Sequence, residues 1–197
     1  MSALEHYRLF VAISIPEEIK DSIAAAQSEL HRALPECGVT LTRREQLHLT
    51  LKFLGNVEAQ RVAALNEQLR AACHGFLVLR LRAERVGAFP NLRIPRVIWI
   101  GLRDVEGQLL KVQSAVEAAS RDFTAEEPEQ SFTGHVTLGR ARRMSHRESQ
   151  VLSALLAGMA DRFFGEWTAS ELALMRSEFS ADGARHTPIG TVHLSGE

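Results

Sequence analysis

Two copies of one short phrase carry the chemistry of this chain: Leu47-His48-Leu49-Thr50-Leu51 and Gly134-His135-Val136-Thr137-Leu138. Each reads His-x-Thr within alternating apolar residues. Successive side chains of a β-strand point to opposite faces, so His48 and Thr50 share one face while Leu47, Leu49 and Leu51 share the other. The same parity holds for His135 and Thr137. An imidazole titrates near neutral pH, with an unperturbed pKa of about 6.5, and a hydroxyl can donate to a charged oxygen. Two such pairs suit acid–base work. A single strand histidine is ordinarily a partly buried residue with one hydrogen-bond partner, but packing alone gives no reason to place the same polar pair twice.

The copies lie in different halves of the chain, so each half is expected to supply one strand to a shared cleft, and internal repetition is itself a fold signal. Residues 8–15 read as a strand, followed by Pro16 and two glutamates suited to a first helical turn. Ile19, Ile23, Ala26, Leu30 and Ala33 then recur at helical spacing. The first motif strand is expected over 46–54, ending at the turn signal Gly55-Asn56, ahead of a helix carrying Val62, Leu65, Leu69 and Ala72. Strands are expected near 76–86 and 96–102, and a helix through Val105, Leu109, Val112, Val116 and Phe123. The acidic segment Glu126 to Glu129 interrupts before the second motif strand, expected over 132–139. A helix with Val151, Leu152, Leu155 and Met159 and strands near 166–176 and 190–194 close the chain. Each half thus reads strand, helix, strand, helix, strand.

A chain of 197 residues with 45% hydrophobic content can bury a sizeable core, and a single two-lobed domain over 1–197 is the expectation. No apolar run approaches the roughly eighteen residues of a membrane span, and no signal peptide is evident, which points to a cytoplasmic protein. Cys37 and Cys73 fit no C-x-x-C pattern and read as reduced thiols. The net charge of −1 argues against a polyanion-binding surface over the whole molecule. Basic residues nevertheless flank both motifs: Arg43 and Arg44 before the first, Arg140, Arg142, Arg143 and Arg147 after the second. They can form a positive rim that focuses a phosphate substrate, although solvated loop charges describe all but Arg140 equally well. Lys52 shares the parity of His48 and Thr50, and is either a solvated strand lysine or a phosphate contact. A metal-dependent hydrolase would call for H-x-H or H-E-x-x-H, and neither is present. His6, His31, His74, His146 and His193 are poor candidates by position, whereas His186 adjoins Arg185.

His48-Leu-Thr50-Leu-Lys-Phe-Leu-Gly55 together with His135-Val-Thr137-Leu-Gly-Arg140 resembles the two-histidine (2H) phosphoesterase superfamily, in particular its RNA 2′,3′-cyclic phosphodiesterases, historically called 2′-5′ RNA ligases. The likeness extends to Arg8-Leu-Phe, Gly87-Ala-Phe-Pro90, Pro95-Arg-Val-Ile-Trp-Ile-Gly101 and Gly183-Ala-Arg185, and covers nearly the whole chain. It implies an α+β fold of two pseudo-symmetric lobes, with antiparallel-type sheets facing a central groove and helices outside. It implies metal-independent hydrolysis of RNA 2′,3′-cyclic phosphate ends to 2′-phosphate ends, without a cofactor. By the same analogy His48 protonates the departing ribose 3′ oxygen and His135 activates water, while Thr50, Thr137 and Arg140 hold the phosphate. The near mirror image of the two motifs leaves the order of the histidine roles open from the residues alone. Strict alternation would turn Arg140 away from His135, so it must lie past the strand end or beyond a bulge at Gly139. The implied partners are RNA ends, tRNA fragments among the candidates, with a monomer as the default. A second reading uses the same cleft for RNA-end binding and reversible 2′-5′ ligation of RNA halves. The chain departs from the family pattern at Gly134, where proline is common, in the Thr40–Arg44 stretch, and at His186, where an aromatic often stands.

Overall fold

The computed structural model describes residues 5–34, 38–128, 131–142, 144–180, 183–194 and 196. Its order is β1 (His6–Ser14), α1 (Glu17–Ala33), β2 (Val39–Leu41), β3 (His48–Glu58), α2 (Val62–Cys73), β4 (Leu79–Phe89), β5 (Val97–Asp104), α3 (Leu109–Ser120), β6 (His135–Ala141), α4 (His146–Gly158), β7 (Phe163–Ala169), β8 (Glu171–Ser180) and β9 (Gly183–His193). Pro16 precedes α1, and Glu17 and Glu18 in its first turn complement the positive end of the helix dipole. Its buried stripe is Ile19, Ile23, Ala26 and Leu30. In α4 the cap is a reciprocal pair, Ser145 accepting from the Glu148 backbone and Glu148 from that of Ser145.

The described strands form one antiparallel sheet in the order β7-β4-β5-β6-β3-β1-β8-β9, with β2 added to the edge of β6. Ser170 alone separates β7, at one end of this path, from β8, near the other. The sheet therefore curls back on itself. Two four-stranded halves result, β6-β5-β4-β7 and β3-β1-β8-β9, with the motif strands β6 and β3 facing each other at the seam. The fold is α+β, with a sheet of two lobes around a groove. Leu49, Leu51, Leu54, Val136 and Leu138 from the seam strands are buried in the core, which continues into Val112 and Val116 of α3 and Leu65 and Leu69 of α2. No helix among the described residues is long and apolar enough to cross a membrane.

Several boundaries differ from the sequence expectation; α3, for one, spans Leu109–Ser120 and leaves Val105 and Phe123 outside the helix. Gly55 does not end β3: with φ +63° it sits where the register against β1 slips by one residue, and the strand continues to Glu58. Here the turn signal marks a bulge that requires the left-handed conformation open to glycine. The single strand expected near 166–176 is instead β7 and β8, which pair with different lobes. The closing strand starts at Gly183 because β9 forms a long hairpin with β8. The halves of the chain are also interleaved, since β4 follows α2 in sequence but pairs with β5 and β7.

Candidate active site

The two motif strands meet antiparallel at one pair, Leu49 opposite Val136. That register sets His48 beside Thr137 and Thr50 beside His135, so the histidines are diagonal neighbours across the seam. Diagonal Cβ atoms in a regular ladder are about 7–8 Å apart, and the gap widens where strands part. Beyond this pair β3 leaves β6, and β2 takes its place against Gly139 and Ala141. The opening is a groove of about 550 Å³ whose walls include His48, Thr50, His135, Thr137 and Arg140. All five residues singled out by sequence thus line one cavity. Neither threonine hydroxyl is engaged by a described residue.

Each motif strand carries a bulge at the same place. On β3, Thr50 pairs with Ala12 and Lys52 with Val11, which leaves Leu51 as the extra residue. On β6, Thr137 pairs with Trp99 and Gly139 with Ile98, which leaves Leu138. Parity reverses after each bulge. Arg140 therefore shares the groove with His135 and Thr137, as the expected bulge requires, although it lies within β6 rather than past its end. A side chain at Gly139 would come within 3.0 Å of the Thr40 carbonyl, so glycine there admits β2. On β3 the position matching Arg140 is Phe53, which is 56% exposed and lines the groove. The expectation for Lys52 is overturned for the same reason: it is only 5% exposed, with its ammonium 2.8 Å from Glu117 on α3 and 3.1 Å from the Glu127 carbonyl. It is neither solvated nor free for a phosphate.

Glutamines from two helices brace the bulges. Gln27 of α1 donates to the Leu138 carbonyl at 3.0 Å and to that of Thr42 at 2.8 Å. Gln113 of α3 donates to the Leu51 carbonyl at 3.5 Å.

The histidines sit in unlike surroundings. Nδ1–H of His135 donates to the Thr133 carbonyl at 2.7 Å, which leaves Nε2 of the neutral ring as the acceptor. Phe89 of β4 meets this ring edge-on at 5.3 Å. His48 stacks on Phe10 of β1 at 4.9 Å and meets His186 of β9 edge-on at 5.5 Å. Burial, reinforced by the nearby His186 and His135, pushes the His48 pKa from 6.5 to about 4, against the pull of a hydrogen bond with the Gln46 backbone. His186 is also lowered by burial.

The remaining basic residues divide. Arg44 is occupied by Glu17 at 2.7 Å and Asp21 at 2.8 Å on α1. Arg185 is exposed and absent from the groove wall, which its neighbours Ala184 and His186 join instead. Arg142 is exposed near Arg140, and Arg143 lies outside the described residues. At the entry to β6 the Gly134 carbonyl accepts from the Leu102 amide at 2.8 Å, and an added Cβ would lie 3.0 Å from Leu109. Cys73 is a buried free thiol whose pKa burial pushes up to about 11, and Cys37 lies outside the described residues. Phe10, Phe53, Phe89 and Phe179 complete the aromatic surroundings, and their roles were not assigned from sequence. The available signal was the recurrence of Phe in the phrases Arg8-Leu-Phe10 and Gly87-Ala-Phe89.

A family model described as LigT-like phosphoesterase matches residues 13–99. The RNA 2′,3′-cyclic phosphodiesterase of Archaeoglobus fulgidus is 30% identical over 89% of this chain and 94% of its own. Its namesake from Thermus thermophilus is 31% identical over 96% of this chain and 91% of its own. A crystal structure of a Thermus thermophilus protein superposes with a TM-score of 0.78 at 27% identity, covering 96% of this chain and 99% of that one.

Proposed function

The chain belongs to the LigT-like phosphoesterase family of the 2H superfamily, and from that membership we propose that it hydrolyses RNA 2′,3′-cyclic phosphate ends to 2′-phosphate ends. The observation that carries this reading is the seam itself, where two His-Thr pairs and Arg140 face one cavity. A cyclic phosphodiester needs a base for water, an acid for the departing ribose oxygen, and donors for the phosphoryl oxygens. Nε2 of His135 takes the water proton while the water oxygen bonds to phosphorus. The bond from phosphorus to O3′ breaks, and His48 supplies the proton that makes the 3′-hydroxyl. Thr50, Thr137 and Arg140 hold the phosphoryl oxygens, with the arginine fork able to grip two at once. This set completes the reaction without a metal ion or cofactor.

The pKa of about 4 for His48 favours a second order of roles. In the ligand-free groove His48 is neutral at pH 7 and cannot donate a proton. Either the bound phosphate anion restores that proton, or His48 is the base and His135 the acid. A substrate with sulfur in place of O3′ separates the two, because a thiolate leaves without protonation. Turnover of that substrate by His48→Ala but not by His135→Ala assigns His48 as the acid, and the opposite pattern reverses the roles.

The test of the activity is to incubate the protein with an RNA ending in a 2′,3′-cyclic phosphate, with and without exhaustive chelation, and identify the terminal isomer. A 2′-phosphate formed equally in both supports the reading. An intact cyclic end, or activity restored only by a specific metal ion, contradicts it. Joining of a supplied pair of RNA halves in place of hydrolysis would favour ligation.

A further inference from the structure

A second cavity, of about 760 Å³, adjoins the groove and shares Arg140 with it. Arg96, immediately before β5, and Arg142, immediately after β6, also line it. The backbone fixes them side by side: the Ala141 amide donates to the Arg96 carbonyl at 2.9 Å, and Arg140 pairs with Val97. All three arginines are exposed, and none is engaged by the side chain of a described residue. That is costly without a ligand, because like charges gathered at one spot repel.

The field along the groove has a direction. Glu126 and Glu127 line a third cavity with Thr50 and Phe53, which reaches Arg140 but neither Arg96 nor Arg142. A polyanion that enters between the histidines is repelled there and attracted toward Arg96 and Arg142. Along β6 the way from Thr137 to Arg142 is on the order of 15 Å at the rise of a strand, which exceeds the reach of one nucleotide's terminal phosphate. We propose that Arg96 and Arg142 form a binding site for backbone phosphates of the RNA strand whose cyclic end occupies the groove. This inference rests on the hydrolase reading above. It makes an oligonucleotide, rather than a mononucleoside 2′,3′-cyclic phosphate, the preferred substrate.

The test compares those two substrates in the wild type, Arg96→Ala, Arg142→Ala and the double variant. Neither residue belongs to the proposed catalytic set. The expected result is an oligonucleotide KM raised roughly tenfold per arginine, with turnover of the mononucleotide within about twofold of wild type. Binding of a 2′-phosphate-ended oligonucleotide, followed by fluorescence anisotropy, should show a log–log salt slope shallower by about 0.7 for each arginine removed. Equal losses on both substrates would make the arginines structural and overturn the proposal, as would no loss on either. ATP that abolishes the oligonucleotide's advantage at equal phosphate concentration would assign the site to a free nucleotide and also overturn it. If the wild type hydrolyses neither substrate, the hydrolase reading fails, and the anisotropy slopes still decide the arginine site.

Discussion

His48 shows how one residue's chemistry depends on what packs around it. Its position in a repeated His-x-Thr phrase made it visible in sequence, but the stacking of Phe10 and the edge of His186 come from β1 and β9 and have no local signature. With a folded pKa near 4 and an unfolded one near 6.5, the unfolded chain binds the proton that the fold excludes. Stability is therefore full above pH 6.5 and falls as pH drops toward 4, by about 3 kcal/mol from this group. Urea denaturation at pH 7 and pH 4.5 should show that loss, and His48→Leu should remove most of the difference between the two conditions. A variant as sensitive to acid as the wild type would show that His48 is not the group excluded. Arg140 carries a different expectation: Arg140→Lys keeps the charge but loses the two-pronged grip, so kcat/KM for the cyclic phosphate falls, and Arg140→Ala lowers it further. Wild-type kinetics in both would reduce Arg140 to a solvated charge.

The bulges decide which side chains the motif strands present. Strict alternation pairs Lys52 with His48 and sets Arg140 against His135, and each inference reverses once Leu51 and Leu138 are extra residues. Gly139 hinted at the second bulge, since a glycine in a strand commonly marks one, but Leu-Lys-Phe offers no such hint for the first. The burial sequence from His48 to Leu54 nonetheless repeats that from His135 to Ala141, position for position. The apolar periodicity of α1 was legible because its stripe depends on nearest neighbours along the helix. The partner of Gln27 was not, since Leu138 comes from the other half of the chain. Gln27→Ala removes both of its bonds and should cost about 1–3 kcal/mol in stability. It should also lower kcat at temperatures where the variant is fully folded, because the Leu138 bulge that aims Arg140 is then held only by the Thr42 amide. Turnover equal to wild type in the folded variant would separate the bulge from catalysis.

At the scale of the whole molecule, two strand-helix-strand-helix halves build one curled sheet by exchanging strands. The repeated motif made two lobes and a shared cleft legible. It did not reveal that β4 crosses to the lobe of β5, or that β7 and β8 belong to different lobes, because these memberships are set by the pairing of β4 with β7 and of β1 with β8, which join segments far apart in sequence. A net charge of −1 likewise conceals a polarised groove, since carboxylates elsewhere balance the unpaired arginines at one end. The architecture brings two histidines from the two halves to one groove, and in the proposed reaction they serve one bond, so they should act as a unit. The measurement that tests this most directly is single-turnover hydrolysis of an RNA 2′,3′-cyclic phosphate by the wild type, His48→Ala, His135→Ala and the double variant, each verified as folded. The account predicts a loss of about 10²- to 10⁴-fold for each single variant and little further loss in the double variant. Near-normal turnover by either folded single variant would contradict it.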